Sequence, residues 1–486
     1  MSFDLPFVLP DGWEIKTVEQ LIKEKIIEKP LDGNHGGIHP KSSDYVSKGI
    51  PFVMASDLYA GRVDLSGCKF ITEKQANTLR KGFAKAGDVL ISHKATIGRT
   101  AIVQQNDYPY VMLTPQVTYY RIIDDEKLSN VYLKAYFDSP FFQSLLALWA
   151  GAGSTRAYLG ITGQLKLPVI VPPIDSQKFI ANHAFTVNEK IELNTQTNQT
   201  LEQIAQAIFK SWFVDFDPVK AKIETLAAGG SADDAELAAM RVISAKTLDE
   251  LNSLKTSNPE AFNKLAQTAA LFPSAMQDSE LGEIPEGWEV SDLASCTTEL
   301  RRGISPKYIE EGGVLVINQK CIRNHTVDFS LARRNDSSKR KVDGREIAIG
   351  DVLVNSTGVG TLGRLAPIRF LNETTVADSH VTVVRANTTK ISKSFLAGLM
   401  LTNEAYIEAS GAGSTGQTEL RKQVLEDIKF VKPLSAVDRL FDEIISNFNA
   451  QTAELEKQRV TLSLTRDVLL PKLLSGEIDL TSEVVE

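Results

Sequence analysis

The chain has 486 residues, 43% of them hydrophobic and 23% charged, which is the composition of a globular protein. A single hydrophobic core stops growing at roughly 250 to 300 residues, so we expect at least two domains. No apolar run is long enough to cross a membrane, and residues 1–10 lack the basic start of a secretory signal. These features exclude a membrane protein and predict a cytoplasmic one. Three cysteines without C-x-x-C spacing favour reduced core thiols over a disulfide framework or a zinc site.

Short strings occur twice in the chain and in the same order. The pairs are LPDGWEI at 9–15 with IPEGWEV at 284–290, GDVLI at 87–91 with GDVLV at 350–354, and GAGST at 151–155 and 411–415. A Gly-Arg pair follows each GDVL string within a dozen residues. Ordered self-similarity of this kind predicts two copies of one domain plan.

Each copy mixes short β-rich runs with short helical patterns, which predicts a mixed α/β domain of the α+β type. Strands are predicted at 89–92, 117–121, 314–318 and 380–385, and a helical pattern covers 131–149. The predicted fold class is therefore a multidomain α+β protein with a pseudo-two-fold internal repeat. Its two similar domains occupy residues 1–178 and 284–433.

A long helical pattern follows each domain. Hydrophobic positions step by four and three residues over 180–212 and again over 437–469, with polar residues in the seam at Asn194, Asn198, Gln451, Gln458 and Thr465. Because such a seam needs a partner, we predict that the two helices form an antiparallel coiled-coil pair. Two separate helices, each docked on its own domain, are the alternative. The helices are assigned to 179–219 and 434–486, and a partly helical, partly mobile linker to 220–283.

The net charge of −8 is unevenly distributed along the chain. Each predicted domain has 20 basic and 18 acidic residues, whereas the helices and the linker together have 13 basic and 25 acidic residues. One segment of the second domain is strongly basic and contains Arg333, Arg334, Lys339, Arg340, Lys341 and Arg345. This density predicts a phosphate-binding surface, with a merely solvated basic loop as the alternative.

The candidate enzyme motifs in the sequence each lack a feature that the corresponding chemistry requires. The string GVGTLG at 358–363 fits a dinucleotide-binding turn, but Pro367 lies where a helix should begin, which favours a plain tight turn. Asp11, Glu14 and Lys16 lie too close together to surround a nuclease metal, and the six histidines lack ligand spacing. Without a recognisable catalytic constellation, a binding or assembly protein is favoured over an enzyme.

Three further strings resemble one family. SWFVDFDPV at 211–219, DSELGEIPEGW at 278–288 and LLPKLLSGEIDL at 469–480 are similar to motifs of the specificity subunits of Type I restriction-modification systems. The resemblance implies two target-recognition domains that read the halves of an asymmetric, bipartite double-stranded DNA sequence. It also implies partners, namely two methyltransferase subunits and the restriction (translocase) subunits. S-adenosylmethionine, ATP and Mg²⁺ would belong to those partners, so no cofactor is expected in this chain.

Residues that contact DNA are predicted among polar and basic side chains, which we expect in loops. In the first domain they are Lys41, Ser42, His93, Lys94, Thr96, Arg99 and Arg156. In the second they are Lys320, Arg323, Asn324, Arg333, Arg334, Arg340, Lys341, Ser356, Thr357 and Gln417. For each of them, a fold-supporting surface role is the alternative. A stand-alone DNA methyltransferase and a non-specific DNA-binding coiled-coil scaffold are the rival functions, and the sequence contains neither an N/D-P-P-Y/F loop nor a glycine-rich cofactor loop for the first.

Overall fold

The computed structural model describes residues 8–151, 157–358, 360–411 and 419–478. The chain divides into two compact units, one formed by residues 1–195 with 457–486 and the other by residues 196–456. Both boundaries fall inside long helices. Each unit therefore combines one globular block with part of each long helix.

The first unit begins with a β-rich block. Its strands are β1 (Glu14–Thr17), β2 (Leu31–Asp32), β3 (Tyr45–Val46), β4 (Ile50–Val53), β5 (Leu58–Tyr59), β6 (Gly61–Val63), β7 (Lys69–Ile71), β8 (Phe83–Ala84), β9 (Val89–Lys94), β10 (Thr96–Ile102), β11 (Val111–Leu113), β12 (Val117–Tyr120) and β13 (Pro168–Val171). Its short helices are α1 (Val18–Lys23), α2 (Glu73–Ala76), α3 (Asn130–Asp138), α4 (Pro140–Trp149) and α5 (Ile161–Gln164). The helical pattern at 131–149 thus forms two helices, because Pro140 starts a new helix that the Ser139 hydroxyl caps.

Two sheets form this block. One has the strand order β2-β12-β9-β10-β6-β5 and the other β3-β7-β4-β11-β8, while β1 pairs with β13. Aromatic side chains fill the core beside the first sheet, and Tyr132, Tyr136 and Phe142 are fully buried there. The hydroxyls of Tyr132 and Tyr136 donate to the carbonyls of Ile170 and Pro168, both at 2.9 Å, which ties β13 to the core.

The long helix α6 (Ile174–Phe213) leads into four shorter helices, α7 (Asp217–Ala227), α8 (Ala232–Ser244), α9 (Leu248–Ser257) and α10 (Pro259–Ala270). This segment was predicted to be a partly helical, partly mobile linker, and its four helices pack around a small core that includes Met240 and Leu251. Capping boxes start α8 at Ser231 and α9 at Thr247. The Ala-, Ser- and Asp-rich composition therefore encodes helices and their caps.

The second unit contains the second β-rich block. Its strands are β14 (Met276–Ser279), β15 (Gly282–Pro285), β16 (Glu289–Asp292), β17 (Thr297–Arg302), β18 (Tyr308–Ile309), β19 (Val314–Ile317), β20 (Ile322–Arg323), β21 (Thr326–Val327), β22 (Arg333–Asn335), β23 (Val352–Asn355), β24 (Leu365–Pro367), β25 (Thr375–Ala377), β26 (Val381–Ala386) and β27 (Lys429–Lys432). Helices α11 (Lys393–Thr402), α12 (Glu404–Ala409), α13 (Lys422–Glu426) and the long α14 (Ser435–Ser475) follow. The two main sheets have the orders β17-β26-β23-β24 and β18-β22-β19-β25.

An equivalent Asp-Arg ion pair occurs within each copy of the repeat. Arg121, just after β12, donates from Nε and Nη2 to the Asp88 carboxylate at 2.8 and 2.7 Å. Arg385, on β26, donates to Asp351 in the same way at 2.7 and 2.6 Å. Both aspartates belong to the GDVL strings and are buried. The internal repeat predicted from short strings is thus also present in the structure, where the same Asp-Arg contact occurs in both copies.

The two long helices pack together as predicted and run antiparallel. In the first unit, Arg466 Nη1 donates to Asn188 Oδ1 at 3.1 Å, and Asn194 Nδ2 donates to Gln458 Oε1 at 3.4 Å. The predicted seam of the second helix is wrong at two positions, since Gln451 and Thr465 are exposed. Thr452 and Glu456 are buried instead, because a helix of 3.6 residues per turn drifts away from a strict heptad over its length.

The structure also bears on the predictions for the cysteines, the GVGTLG string and membrane-spanning helices. Cys68, Cys296 and Cys321 are free and buried, as predicted. After the GVGTLG turn comes β24, a strand, so the rejection of a dinucleotide-binding turn holds. Within the described ranges, no helix is long and apolar enough to span a membrane.

Candidate nucleic-acid interface

The GDVL strand of the first copy ends in a tight hairpin. β9 and β10 meet at Ala95, whose φ of +65° places it in the left-handed region. Lys94 and Thr96 flank this turn and are exposed. The expectation that His93, Lys94, Thr96 and Arg99 lie in loops is wrong, because all four lie on β9 or β10.

A buried polar cluster lies beneath this hairpin. The Asp32 carboxylate is 2% exposed and accepts hydrogen bonds from Lys81 and, at 2.7 Å, from His35 Nε2. Burial opposes ionisation of Asp32, yet these two hydrogen bonds outweigh it and hold its pKa below the ordinary value. The cluster is therefore an ionised carboxylate with cationic or donor partners, which fixes the segment at residues 32–35.

His93, predicted to read bases, is fully buried beside this cluster. Its Nδ1 lies 3.0 Å from the Leu159 carbonyl and its Nε2 4.0 Å from Asp32. Burial lowers the pKa of His93, so the ring is neutral at physiological pH. In this conformation the side chain supports the hairpin and offers no surface to a ligand.

A cleft of about 370 Å³ opens next to the hairpin. Its lining is polar and aromatic, formed by His35, Gly36, His39, Tyr45, Met54, Lys94, Thr114, Pro115 and Gln116. Of these, only Lys94 was predicted as a site residue. The others were missed because they come from three separate segments that only β-pairing brings together.

The remaining candidates in the first domain differ in whether their side chains are free to contact a ligand. Arg99 donates from Nη1 to the carbonyls of Ala55 and Ser56 at 3.1 and 3.3 Å, so its guanidinium helps to hold a neighbouring turn. Lys41 and Ser42 are exposed at the start of another short turn. Arg156 lies outside the described residues.

The corresponding loop of the second copy follows β23. Ser356 is fully buried and its hydroxyl lies 2.5 Å from that of Thr382, so this predicted site residue supports the sheet. Thr357 is partly exposed, and its hydroxyl contacts His380 Nδ1 at 2.8 Å and Gln319 Oε1 at 3.2 Å. Gln417 lies outside the described residues.

Most cations of the basic segment already have partners. Arg333 stacks on the Tyr308 ring, with its guanidinium carbon 3.4 Å from the ring centroid, and Arg334 forms a bidentate ion pair with Glu373 at 2.8 and 2.9 Å. Both arginines lie on β22 rather than in a loop. Lys339 pairs with Asp336 at 3.1 Å.

The other members of that segment divide into one anchored and two available cations. Arg345 donates from Nη2 to the carbonyls of Arg302 and Gly303 at 2.6 and 2.9 Å. Arg340 and Lys341 are exposed, and no described carboxylate lies within 4.0 Å of either. Within the segment, these two are the cations whose side chains have no ion-pair, hydrogen-bond or ring partner among the described residues.

Lys320, Arg323 and Asn324 are also exposed, around β20 and the turn that follows it. Asn324 has a φ of +50°, which Asn tolerates in tight turns. Whether any of these residues contacts DNA stays a prediction. Among the residues that the structure describes, no cluster of His, Cys, Asp or Glu is arranged to hold a metal ion.

Comparison with known proteins identifies the family. Residues 10–203 match the Type I restriction modification DNA specificity domain. The chain is 31% identical to the Type I restriction enzyme HindI specificity subunit of Haemophilus influenzae over 332 residues, which cover 64% of this chain and 69% of that one. It is 23% identical to the MjaIX specificity subunit of Methanocaldococcus jannaschii over 97% of this chain and 94% of that one.

A solved structure, the S subunit of a Type I restriction-modification system from M. genitalium, aligns with 97% of this chain and 98% of its own at 13% identity. The TM-score of that alignment is 0.46, so the assignment rests on the sequence relatives. With two thirds of a relative covered at 31% identity, this chain belongs to the specificity subunits of Type I restriction-modification systems, the non-catalytic subunits that give these complexes their DNA specificity.

Proposed function

We propose that this subunit recognises an asymmetric, bipartite double-stranded DNA sequence and that each domain reads one half of it. The proposal rests on one observation, that the two copies share a structural frame but differ in the side chains beside it. This frame is the Asp-Arg pair and the GDVL strand, which both copies share. The equivalent position at the end of the strand is Lys94 in the first copy and Thr357 in the second. Base readout depends on the exposed side chains, so two such frames suit two different half-sites.

Within this proposal, the exposed cations contact phosphate. Arg340 and Lys341 are the strongest candidates in the second domain, because no described carboxylate neutralises them. Lys41 and Lys94 are exposed in the first domain. Phosphate contacts of this kind supply affinity and fix orientation without reading the sequence.

The chemistry of the complex resides in other subunits. In Type I systems, S-adenosylmethionine and ATP are bound by the methyltransferase and restriction subunits. We propose that two methyltransferase subunits and the translocating restriction subunits, which would also use Mg²⁺, assemble on this chain in the cytoplasm. The acidic excess of its helical segments supports this division, since an acidic surface repels DNA and remains available to protein partners.

Exchange of a single domain tests the proposal. Residues 1–178 are replaced by the corresponding block of a relative, the complete complex is assembled, and methylated sites are mapped across a genome. We expect one half of the target to change and the other to stay the same. The reciprocal exchange of residues 284–433 is the matched control and should alter only the other half.

Two outcomes would contradict the proposal. A simultaneous change in both halves would show that the domains do not read independently. Binding without any sequence preference would favour the non-specific scaffold.

A further inference from the structure

One backbone turn occurs at the same place in both copies of the repeat, just before β12 and β26. In the first copy it covers residues 114–116, and the Val117 amide donates to the Thr114 carbonyl at 3.1 Å. In the second copy it covers residues 378–380, and the Val381 amide donates to the Asp378 carbonyl at 2.9 Å. Gln116 and His380 therefore occupy equivalent positions.

In both copies a backbone hydrogen bond holds this position against the GDVL strand. The His93 amide donates to the Gln116 carbonyl at 2.9 Å, and the Ser356 amide donates to the His380 carbonyl at 2.8 Å. Because the carbonyl of the turn residue makes this bond, the bond does not depend on the identity of the side chain. The residue at this position can therefore change from Gln to His while the backbone bond to the GDVL strand stays the same.

The side chain of Gln116 is placed for recognition. It is partly exposed and lines the polar cleft beside Lys94, His35 and His39. No described residue forms a hydrogen bond with its amide group. An amide with a free donor and a free acceptor, next to an exposed lysine, matches the requirements for reading a base edge beside a phosphate.

The side chain of His380 is also exposed, at 57%, and is oriented by its neighbours. Its Nδ1 lies 2.8 Å from the Thr357 hydroxyl, and its Nε2 lies 4.0 Å from Asp378 Oδ1. The basic segment reaches the same edge of the sheet. Arg345 donates to the Gly303 carbonyl at 2.9 Å, and the Gly303 amide donates to the carbonyl of Val381, the next residue after His380, also at 2.9 Å.

We propose that Gln116 and His380 are specificity-determining residues, each contacting a base edge in the half-site read by its own domain. The inference rests on the proposed function, since it assigns to each domain one side chain that reads the DNA. Neither residue is needed for the Asp-Arg pairs that hold the two frames. The loss of either side chain therefore affects one half-site and leaves the fold intact.

The test uses the assembled complex with a DNA library randomised at one position at a time in either half of the wild-type target. Methylation of each sequence is counted for the wild-type complex and for the Q116A and H380A variants. Each variant should lose roughly 5- to 150-fold of its preference at a position in one half-site, the equivalent of one base-edge contact. Preference in the other half should stay at the wild-type level.

Two matched controls separate recognition from general damage. Q267A and H183A remove the same side-chain types at exposed positions on helices, and both should retain full preference at every position. Unchanged preference in Q116A and H380A, with sites still methylated, would overturn the inference and leave the proposed function standing. If the wild-type complex itself shows no preference, the proposed function fails first.

Discussion

The contribution of the basic segment to DNA affinity can be worked out from its contacts. Each phosphate contact lowers the slope of log K against log salt concentration by about 0.9. If all six cations contacted phosphate, their removal would flatten the slope by about 5. The structure commits Arg333, Arg334 and Lys339 to local partners, and Arg345 to backbone carbonyls. Two cations remain, so the double substitution R340A/K341A should flatten the slope by about 1.8.

The assay is equilibrium binding of the assembled complex to target and non-target DNA between about 50 and 200 mM salt. Over this fourfold range, the salt-dependent loss of affinity should shrink by roughly tenfold in the variant, and equally for both DNAs. The matched control is K220A/K246A, which removes two exposed lysines from the acidic helical segment and should leave the slope unchanged. An unaltered slope in R340A/K341A, or a loss confined to target DNA, would refute the assignment of phosphate contacts.

Two further predictions concern stability. R385A leaves the buried Asp351 carboxylate without its guanidinium and should lower the free energy of unfolding of the second unit by about 3 kcal/mol, the low end for a broken buried pair because Arg385 is 28% exposed. The double variant D351N/R385A should lose less, as measured by segment-resolved hydrogen exchange, and equal losses would contradict the charge argument. The hydrogen bond from His325 to Glu404, at 2.7 Å, raises the pKa of His325 above 6.5, so its stabilisation is present below about pH 6.5 and is lost as the pH rises through the raised pKa. H325Q should abolish this dependence in urea unfolding across that pH range, and a persistent dependence would assign it to another group.

The features predicted well from the sequence were those with a period or a repeated string. Two short strings, GDVL and GWE, occur in both copies and mark strands that the fold uses twice. The heptad spacing predicts the long helices directly. The position of buried residues in the second helix was harder to predict. Burial of Thr452 and Glu456 in place of Gln451 follows from the drift between 3.5 and 3.6 residues per turn, which accumulates along a helix of 41 residues.

Individual site residues were predicted less well, because polarity and a nearby glycine do not fix exposure. His93 and Ser356 carry donors and acceptors suited to DNA, yet His93 lies on β9 and Ser356 directly follows β23, and both are fully buried. Arg334 and Glu373 are 39 residues apart in sequence, so neutralisation of that arginine depends on tertiary contacts. Gln116 was missed for the converse reason. It is a single polar residue between Pro115 and an apolar strand, and only the fold shows that it borders a cleft.

Duplication of the domain divides its residues into two groups with different constraints. The Asp88–Arg121 and Asp351–Arg385 pairs must match, since each holds a buried carboxylate that would otherwise cost several kcal/mol. Exposed turn positions carry no such constraint, because their backbone bonds are satisfied whatever the side chain. A chain built in this way can acquire a new half-site by substitution at the turns while its frame stays intact. The same reasoning explains why the GDVL strand is shared by the two copies and why Gln116 and His380 differ.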